Sequence, residues 1–145
     1  MAEYNQRSFV AGNASEILRQ TIRARRRRSD FLSGGLFADP AWDILLELSL
    51  ARTEERIVRL DDLLRSSQVR ESTILRWLEK LEQDGWVSRT PDPSDSRQCL
   101  VDLSQRAAAA MQAWISDLVQ SWSGQRDDGS VTSLLERIDR GRRDP

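Results

Sequence analysis

Apolar residues recur at helical spacing along most of this chain, interrupted once by strict alternation. Ile17, Leu18 and Ile22 begin the pattern, behind an Asn13-x-x-Glu16 pair that resembles a capping box. The stretch then runs into Arg23-Ala24-Arg25-Arg26-Arg27-Arg28 and meets a stop signal at Ser33-Gly34-Gly35. Residues 1–12 carry no period and read as a mobile tail. Asp39 suits an N-cap and Pro40 a first helical position, and Ala41, Ile44, Leu45 and Leu48 keep the core spacing beyond them, with Trp42 adding bulk. Arg56-Ile57-Val58 reads as a short strand. Leu60, Leu63 and Leu64 mark a brief helix ending near Ser66-Ser67, and Gln68-Val69 forms a tight turn. The next helix, Arg70 to Asp84, has the clearest period: Ile74, Trp77, Leu78 and Leu81 line one face.

Gly85 follows as a helix terminator. Val87–Thr90 and Cys99–Leu103 then read as antiparallel strands, Cys99, Val101 and Leu103 pointing one way and Leu100 and Asp102 the other. Between them Pro91-Asp92-Pro93-Ser94-Asp95-Ser96 reads as a turn whose prolines forbid ladder hydrogen bonds. Ser104 can cap a long helix striped by Ala107, Ala108, Met111, Trp114, Ile115, Leu118, Val119 and Trp122. Ser123 to Gly129 is expected to break it, and Val131, Leu134, Leu135 and Ile138 suggest one more short helix before a charged tail.

The outward side of the Arg70–Asp84 helix opens with Arg70, Ser72, Thr73 and Arg76, groups able to reach base edges and phosphates in a DNA major groove. The bland alternative for Arg76 is a solvated ion pair with Glu79 or Glu82. Two short helices joined by a tight turn make a helix-turn-helix unit. Composition narrows the rest. The chain has 145 residues, 31% of them charged, and a net charge of −1, so no bulk basicity advertises a nucleic-acid partner. Histidine is absent and Cys99 is the single cysteine. Histidine-dependent catalysis is excluded, a zinc site would need mostly carboxylates, and no glycine-rich phosphate loop occurs. The expectation is a non-enzyme with no catalytic residues, metal or cofactor. With no secretory or membrane-spanning apolar run, a soluble cytoplasmic protein is expected.

Other features have two readings each. Four consecutive arginines, Arg25 to Arg28, circle a helix and cannot all face one ligand. They can neutralise a helix C-terminus or reach phosphates. Cys99 alternates with Val101 and Leu103 and reads as core, not as a redox switch. Trp114 and Trp122 suit a subunit interface before a ligand pocket. Glu71, Asp61 and Asp62 read as carboxylates favoured by helix N-termini.

From Leu60 to Ser104 the sequence resembles the MarR family of bacterial transcriptional regulators. Leu81-Glu82-x-x-Gly85-Trp86-Val87-x-Arg89 is similar to that family's L-E-x-x-G-L-V-x-R signature, with tryptophan replacing leucine. Asp92-Pro93-Ser94-Asp95-Ser96-Arg97 resembles its D-P-x-D-x-R wing motif, and Leu103-Ser104 stands where Leu-Thr opens the next helix, without the glycine that often follows. The resemblance implies a mainly α fold, a winged helix-turn-helix with a small β-wing and N- and C-terminal dimerisation helices. The chain then divides into a tail (1–12), an N-terminal dimerisation helix (13–35), a winged helix-turn-helix (39–104), C-terminal dimerisation helices (105–140) and a tail (141–145). It also implies a homodimer on double-stranded DNA, an unidentified small-molecule effector as a possible further partner, and no membrane. Ser72, Thr73 and Arg76 fall where the family reads bases, beside Arg70. Arg97 falls where a wing arginine enters the minor groove, and Asp95 where a carboxylate steadies it. One feature opposes DNA binding. Leu60–Ser104 holds six bases (Arg65, Arg70, Arg76, Lys80, Arg89, Arg97) against nine acids (Asp61, Asp62, Glu71, Glu79, Glu82, Asp84, Asp92, Asp95, Asp102), and six minus nine is −3. That balance keeps open a dimeric protein-interaction adaptor that does not bind DNA.

Overall fold

The computed structural model describes residues 2–32 and 38–127, with side chains described over 13–32 and 38–121. The order is α1 (Ala2–Phe31), α2 (Pro40–Thr53), α3 (Leu60–Ser66), α4 (Glu71–Gln83), β1 (Val87–Asp92), β2 (Asp95–Leu103) and α5 (Gln105–Asp127). This is a winged helix with a long helix at either end.

Helix α2 sits at the centre, against α1, α4, α5 and β2. Its apolar residues surround the axis: Ile44, Leu46, Leu48, Leu50 and Ala51 are all buried, as befits a helix packed on several sides. Asp39 caps it, its carboxylate accepting the Trp42 amide, and Pro40 opens it without leaving a donor unpaired. The helix closes on Glu55, whose φ of 55° is left-handed. Its amide bonds to the Arg52 carbonyl and that of Arg56 to the Ala51 carbonyl, a Schellman closure with glutamate in place of glycine. Leu18 of α1, Ile44, Leu46 and Leu48 of α2 and Leu78 of α4 are the largest fully buried side chains. At the other end of the core Trp42 meets Trp114 of α5 edge to face, ring centroids 4.9 Å apart. Trp114 is thus half-buried within the chain. The Trp122 side chain lies outside the described residues.

Four boundaries differ from the sequence pattern. Helix α1 reaches back to Ala2, so the periodless segment at 2–12 is helical. It contains no proline and only Gly12 as a poor helix former, so nothing there forces an end. Residues 56–58 form no strand. Arg59 instead makes an isolated bridge to Leu100, and the Val58 carbonyl accepts the Val101 amide. Only Val58 turns inward, while Ile57 is 71% exposed. The wing strands run further than the prolines suggest. Pro91 is paired with Cys99, and the register shifts before Asp92 pairs with Asp95. In a two-stranded sheet each strand has one side without a ladder, which is where proline is tolerated. Helix α5 continues through Ser123 to Asp127. The expected stop at Ser33-Gly34-Gly35 and the expected helix at 131–138 lie outside the described residues. Cys99 is only half-buried, because β2 leaves the core between Val101, which is buried, and the wing tip.

Candidate nucleic-acid interface

Helix α4 is fixed from below. Ile74, Leu78 and Leu81 are buried, Trp77 is half-buried against the same core, and the opposite face stays open. Its N-cap, Arg70, has extended backbone and no side chain caps the helix. The Thr73 and Ile74 amides both bond to the Arg70 carbonyl, which leaves the Glu71 and Ser72 amides at the positive end of the helix dipole, an arrangement suited to a phosphate. Ser72 and Arg76 are exposed on this end with Arg70, and Thr73 is half-buried on the flank. The structure thus brings four of the sequence-derived residues onto one end of one helix. Of the two expected competitors for Arg76, Glu82 is otherwise engaged, both Glu82–Arg89 hydrogen bonds, at 2.9 and 2.5 Å, using the same Glu82 oxygen, and Glu79 forms no ion pair with it among the described residues. Among the described residues the Arg70 and Arg76 guanidiniums have no carboxylate partner.

The signature after α4 is structural. Gly85, at φ 75°, closes the helix. Its amide bonds to the Glu82 carbonyl and the Trp86 amide to that of Leu81. Val87 is buried, and Arg89 reaches back to Glu82 as described. Trp86, where the family pattern has leucine, lies under the Arg106 guanidinium, 4.0 Å from the ring centroid, and Arg106 also donates to the Asp84 carbonyl. Ser104 caps α5 through the Ala107 amide while its hydroxyl donates to the Gly85 carbonyl. The end of α4, the base of the wing and the start of α5 are therefore one joint.

The wing is tethered at two points that sequence reasoning missed. Asp92, its side chain 4% exposed, accepts Arg59 Nε on one oxygen and the Ser94 amide and hydroxyl on the other. Gln98 donates to Asp61 of α3 at 2.8 Å. The Asp-Pro-Ser order is an Asx-turn pattern and could have flagged Asp92, but nothing local indicates a partner at Arg59. At the tip Asp95 accepts both the backbone amide and Nε of Arg97, at 3.1 and 3.3 Å, while the arginine side chain stays 88% exposed.

The bonds from Ser94 and Arg59 hold the Asp92 carboxyl at about 2, against an ordinary value of 3.8. A depressed folded-state value stabilises the fold fully above the unfolded value and is lost as pH falls through 3.8 toward 2. Asp92→Asn is therefore expected to lower the melting temperature at neutral pH, with the gap to wild type narrowing between about pH 4 and 2. Thermal unfolding at several pH values measures this, and a gap constant across that window would refute the account.

Pairing also answers the −3 balance. Asp61 and Asp62 face Arg65, Glu82 faces Arg89, Asp84 faces Lys80, Asp95 faces Arg97, and Asp92 and Asp102 are met by Arg59 and Arg52 from outside the segment. Seven of the nine acids thus have a basic partner, and near the start of α4 Arg70 and Arg76 stand beside Glu71 and Glu79.

Two arginines of the α1 run, Arg25 and Arg26, reach α2, as does Arg19 a turn earlier. Arg25 reaches Asp43 at 2.5 Å, Arg26 approaches Glu47 and the Ser66 carbonyl, and Arg19 pairs with Glu54. Arg23 and Arg27 are exposed. Arg25 meets carboxylates at the start of α2, whereas Arg26 also donates to the Ser66 carbonyl at the C-terminus of α3.

A mainly helical chain with a two-stranded wing behind a helix-turn-helix defines the winged-helix class. Residues 41–99 match the model of the MarR family. Among solved structures, the fold is similar to that of S. aureus MepR bound to ethidium bromide (TM-score 0.55, 16% identity, 87% of this chain and 89% of that one). It is also similar to that of a MepR point mutant from a multidrug-resistant S. aureus clinical isolate (0.54, 14%, 97% and 91%). S. aureus MepR in its DNA-binding conformation matches at 0.50, with 14% identity over 97% and 93%. No curated protein sequence matches the chain. Among the described residues no helix is long and apolar enough to cross a membrane, and no cluster of three or more potential ligands could hold a metal.

Proposed function

We propose that this chain is a homodimeric, sequence-specific DNA-binding regulator that sets α4 in the major groove and the wing at the adjacent minor groove. The observation that carries the reading is the start of α4: an uncapped helix N-terminus flanked by Arg70, Ser72 and Arg76, with both guanidiniums free of carboxylates among the described residues. Ser72, Thr73 and Arg76 read base edges, Arg70 contacts phosphate, and Arg97, steadied by Asp95, enters the minor groove. Dimerisation through the terminal helices, 13–35 and 105–140, would set two α4 helices about 34–36 Å apart, one helical turn of DNA. Phe31, 78% exposed at the end of α1, supports a partner surface there.

An effector site is part of the proposal. A cavity of about 400 Å³ lies between α1, α2 and the turn before α4, bounded by Ile22, Arg25, Leu32, Asp43, Val69 and Ile74. Its size suits a small organic molecule. One of the similar folds is that of MepR bound to ethidium bromide. A ligand here would press on Ile74, the underside of the reading helix.

Selection of bound sequences from random duplex DNA, followed by a salt titration on the selected site, tests the reading. Retention that falls steeply with salt supports it. No retention at low ionic strength would favour the protein-interaction adaptor. Arg97→Ala is expected to weaken binding evenly across sequences and to reduce the salt slope by about 1 per half-site. An unchanged slope would remove Arg97 from the interface.

A further inference from the structure

Leu75 is out of place. It is 39% exposed on the helix whose apolar work is already done by Ile74, Leu78 and Leu81. Of the four large hydrophobic residues exposed among the described ones, Phe31 and Leu32 end α1 and Ile57 precedes the bridge at Arg59. Only Leu75 stands within the proposed reading surface. It lies one turn after Ser72, one turn before Glu79 and next to Arg76, all of them exposed.

An isobutyl group in that company cannot donate or accept a hydrogen bond. Against a base edge it would only desolvate polar atoms, with one exception. The C5 methyl of thymine is the apolar group that a base pair presents in the major groove. Burying a methyl against leucine gains the hydrophobic increment and displaces water that neither surface holds strongly. The same leucine against cytosine or against a purine leaves hydrogen-bonding groups dry.

Resting on the DNA-binding reading above, we infer that Leu75 is a specificity-determining residue that reads a thymine methyl in each half-site, beside the base contacted by Arg76. The pair would divide the work: Arg76 selects by hydrogen bonds, and Leu75 selects by shape and apolarity at the neighbouring position. The operator would then carry an invariant thymine whose methyl, and not its hydrogen-bonding edge, is recognised.

Deoxyuridine isolates that methyl, since it keeps the thymine hydrogen bonds and lacks only the C5 group. The experiment takes the duplex selected by the full chain and replaces its thymines, one symmetric pair at a time, with deoxyuridine. Dissociation constants are then measured for wild type, Leu75→Ala and Leu75→Met. For wild type, one symmetric pair is expected to weaken binding by about fourfold per half-site, the value of one buried methyl-sized group. Leu75→Ala should be indifferent to deoxyuridine at that pair alone, and Leu75→Met should retain the sensitivity. The inference is overturned if the selected site has no invariant thymine, if wild type ignores every methyl, or if the sensitivity survives in Leu75→Ala. Failure of wild type to bind any selected duplex would instead overturn the DNA-binding reading itself, and this inference with it.

Discussion

Replacing Arg76 with alanine is expected to lower affinity for the selected operator by roughly 5- to 150-fold per half-site and to flatten the preference at one position, the cost of about 1–3 kcal/mol for a bidentate contact to guanine. The expectation rests on what surrounds the side chain. Arg76 is exposed one turn into α4; of the two glutamates that could have neutralised it, Glu82 is bound to Arg89 and Glu79 forms no ion pair with it among the described residues. An arginine with no carboxylate to leave gives up only solvent on entering the groove. Its rigid fork fits guanine O6 and N7 together, so Arg76→Lys should recover charge but not the base preference. Titration of both variants against the operator and against a version with that guanine replaced measures the effect. If Arg76→Ala binds the two as wild type does, the role assigned to Arg76 is wrong, and a loss equal on both would make it a phosphate contact.

The Arg70–Asp84 pattern is the most legible part of the sequence because one physical demand shapes it: a buried stripe at helical spacing beneath an open polar face. Asp39-Pro40, Gly85 and Ser104 are equally legible, since capping and left-handed backbone favour few residue types. Long-range pairings are not. The Asp92–Arg59 and Gln98–Asp61 bonds span residues far apart in the chain, and no local rule predicts which carboxylate meets which donor. The same gap bears on the −3 balance: a sum over the segment omits Arg59 and Arg52, which lie outside it and pair with Asp92 and Asp102. The N-terminal stretch misleads for another reason. Periodicity reports burial of one face, and a helical segment can lack that stripe, as Ala2–Gly12 does.

The wing tethers give the charge pattern a mechanical sense. Arg59, the N-cap residue of α3, holds Asp92, while Asp61 in the first turn of that helix holds Gln98. The wing is thereby referenced to the first helix of the helix-turn-helix, and Trp86, Arg106 and Ser104 reference it to the end of α4. On the proposed DNA-binding reading a recognition helix and a wing in adjacent grooves would need a fixed separation, and these two sets of contacts would define it. Displacement of Ile74 by a ligand in the cavity would be felt at both ends of that frame.

Leu78→Ala is expected to cost about 2–5 kcal/mol of stability, the range for truncating a fully buried leucine with incomplete collapse of the cavity. Leu78 has no exposed surface and lies where α4 meets the apolar centre formed by Ile44, Leu46 and Leu48. Its neighbours belong to separate elements joined by capped ends and ion pairs, so they cannot readily close on the void. Set against a typical total of about 5–15 kcal/mol, the loss would leave a marginal fold. Urea unfolding of wild type and variant at one protein concentration measures it, the fixed concentration being required because the proposed dimer would make apparent stability depend on concentration. Leu75→Ala supplies the contrast on the same helix. It removes the same atoms from a side chain that is 39% exposed and should shift stability by only about 0.5 kcal/mol. If the two variants unfold at the same urea concentration, the division of α4 into a buried underside and an open reading face is wrong, and the assignment of Ser72, Arg76 and Leu75 to DNA falls with it.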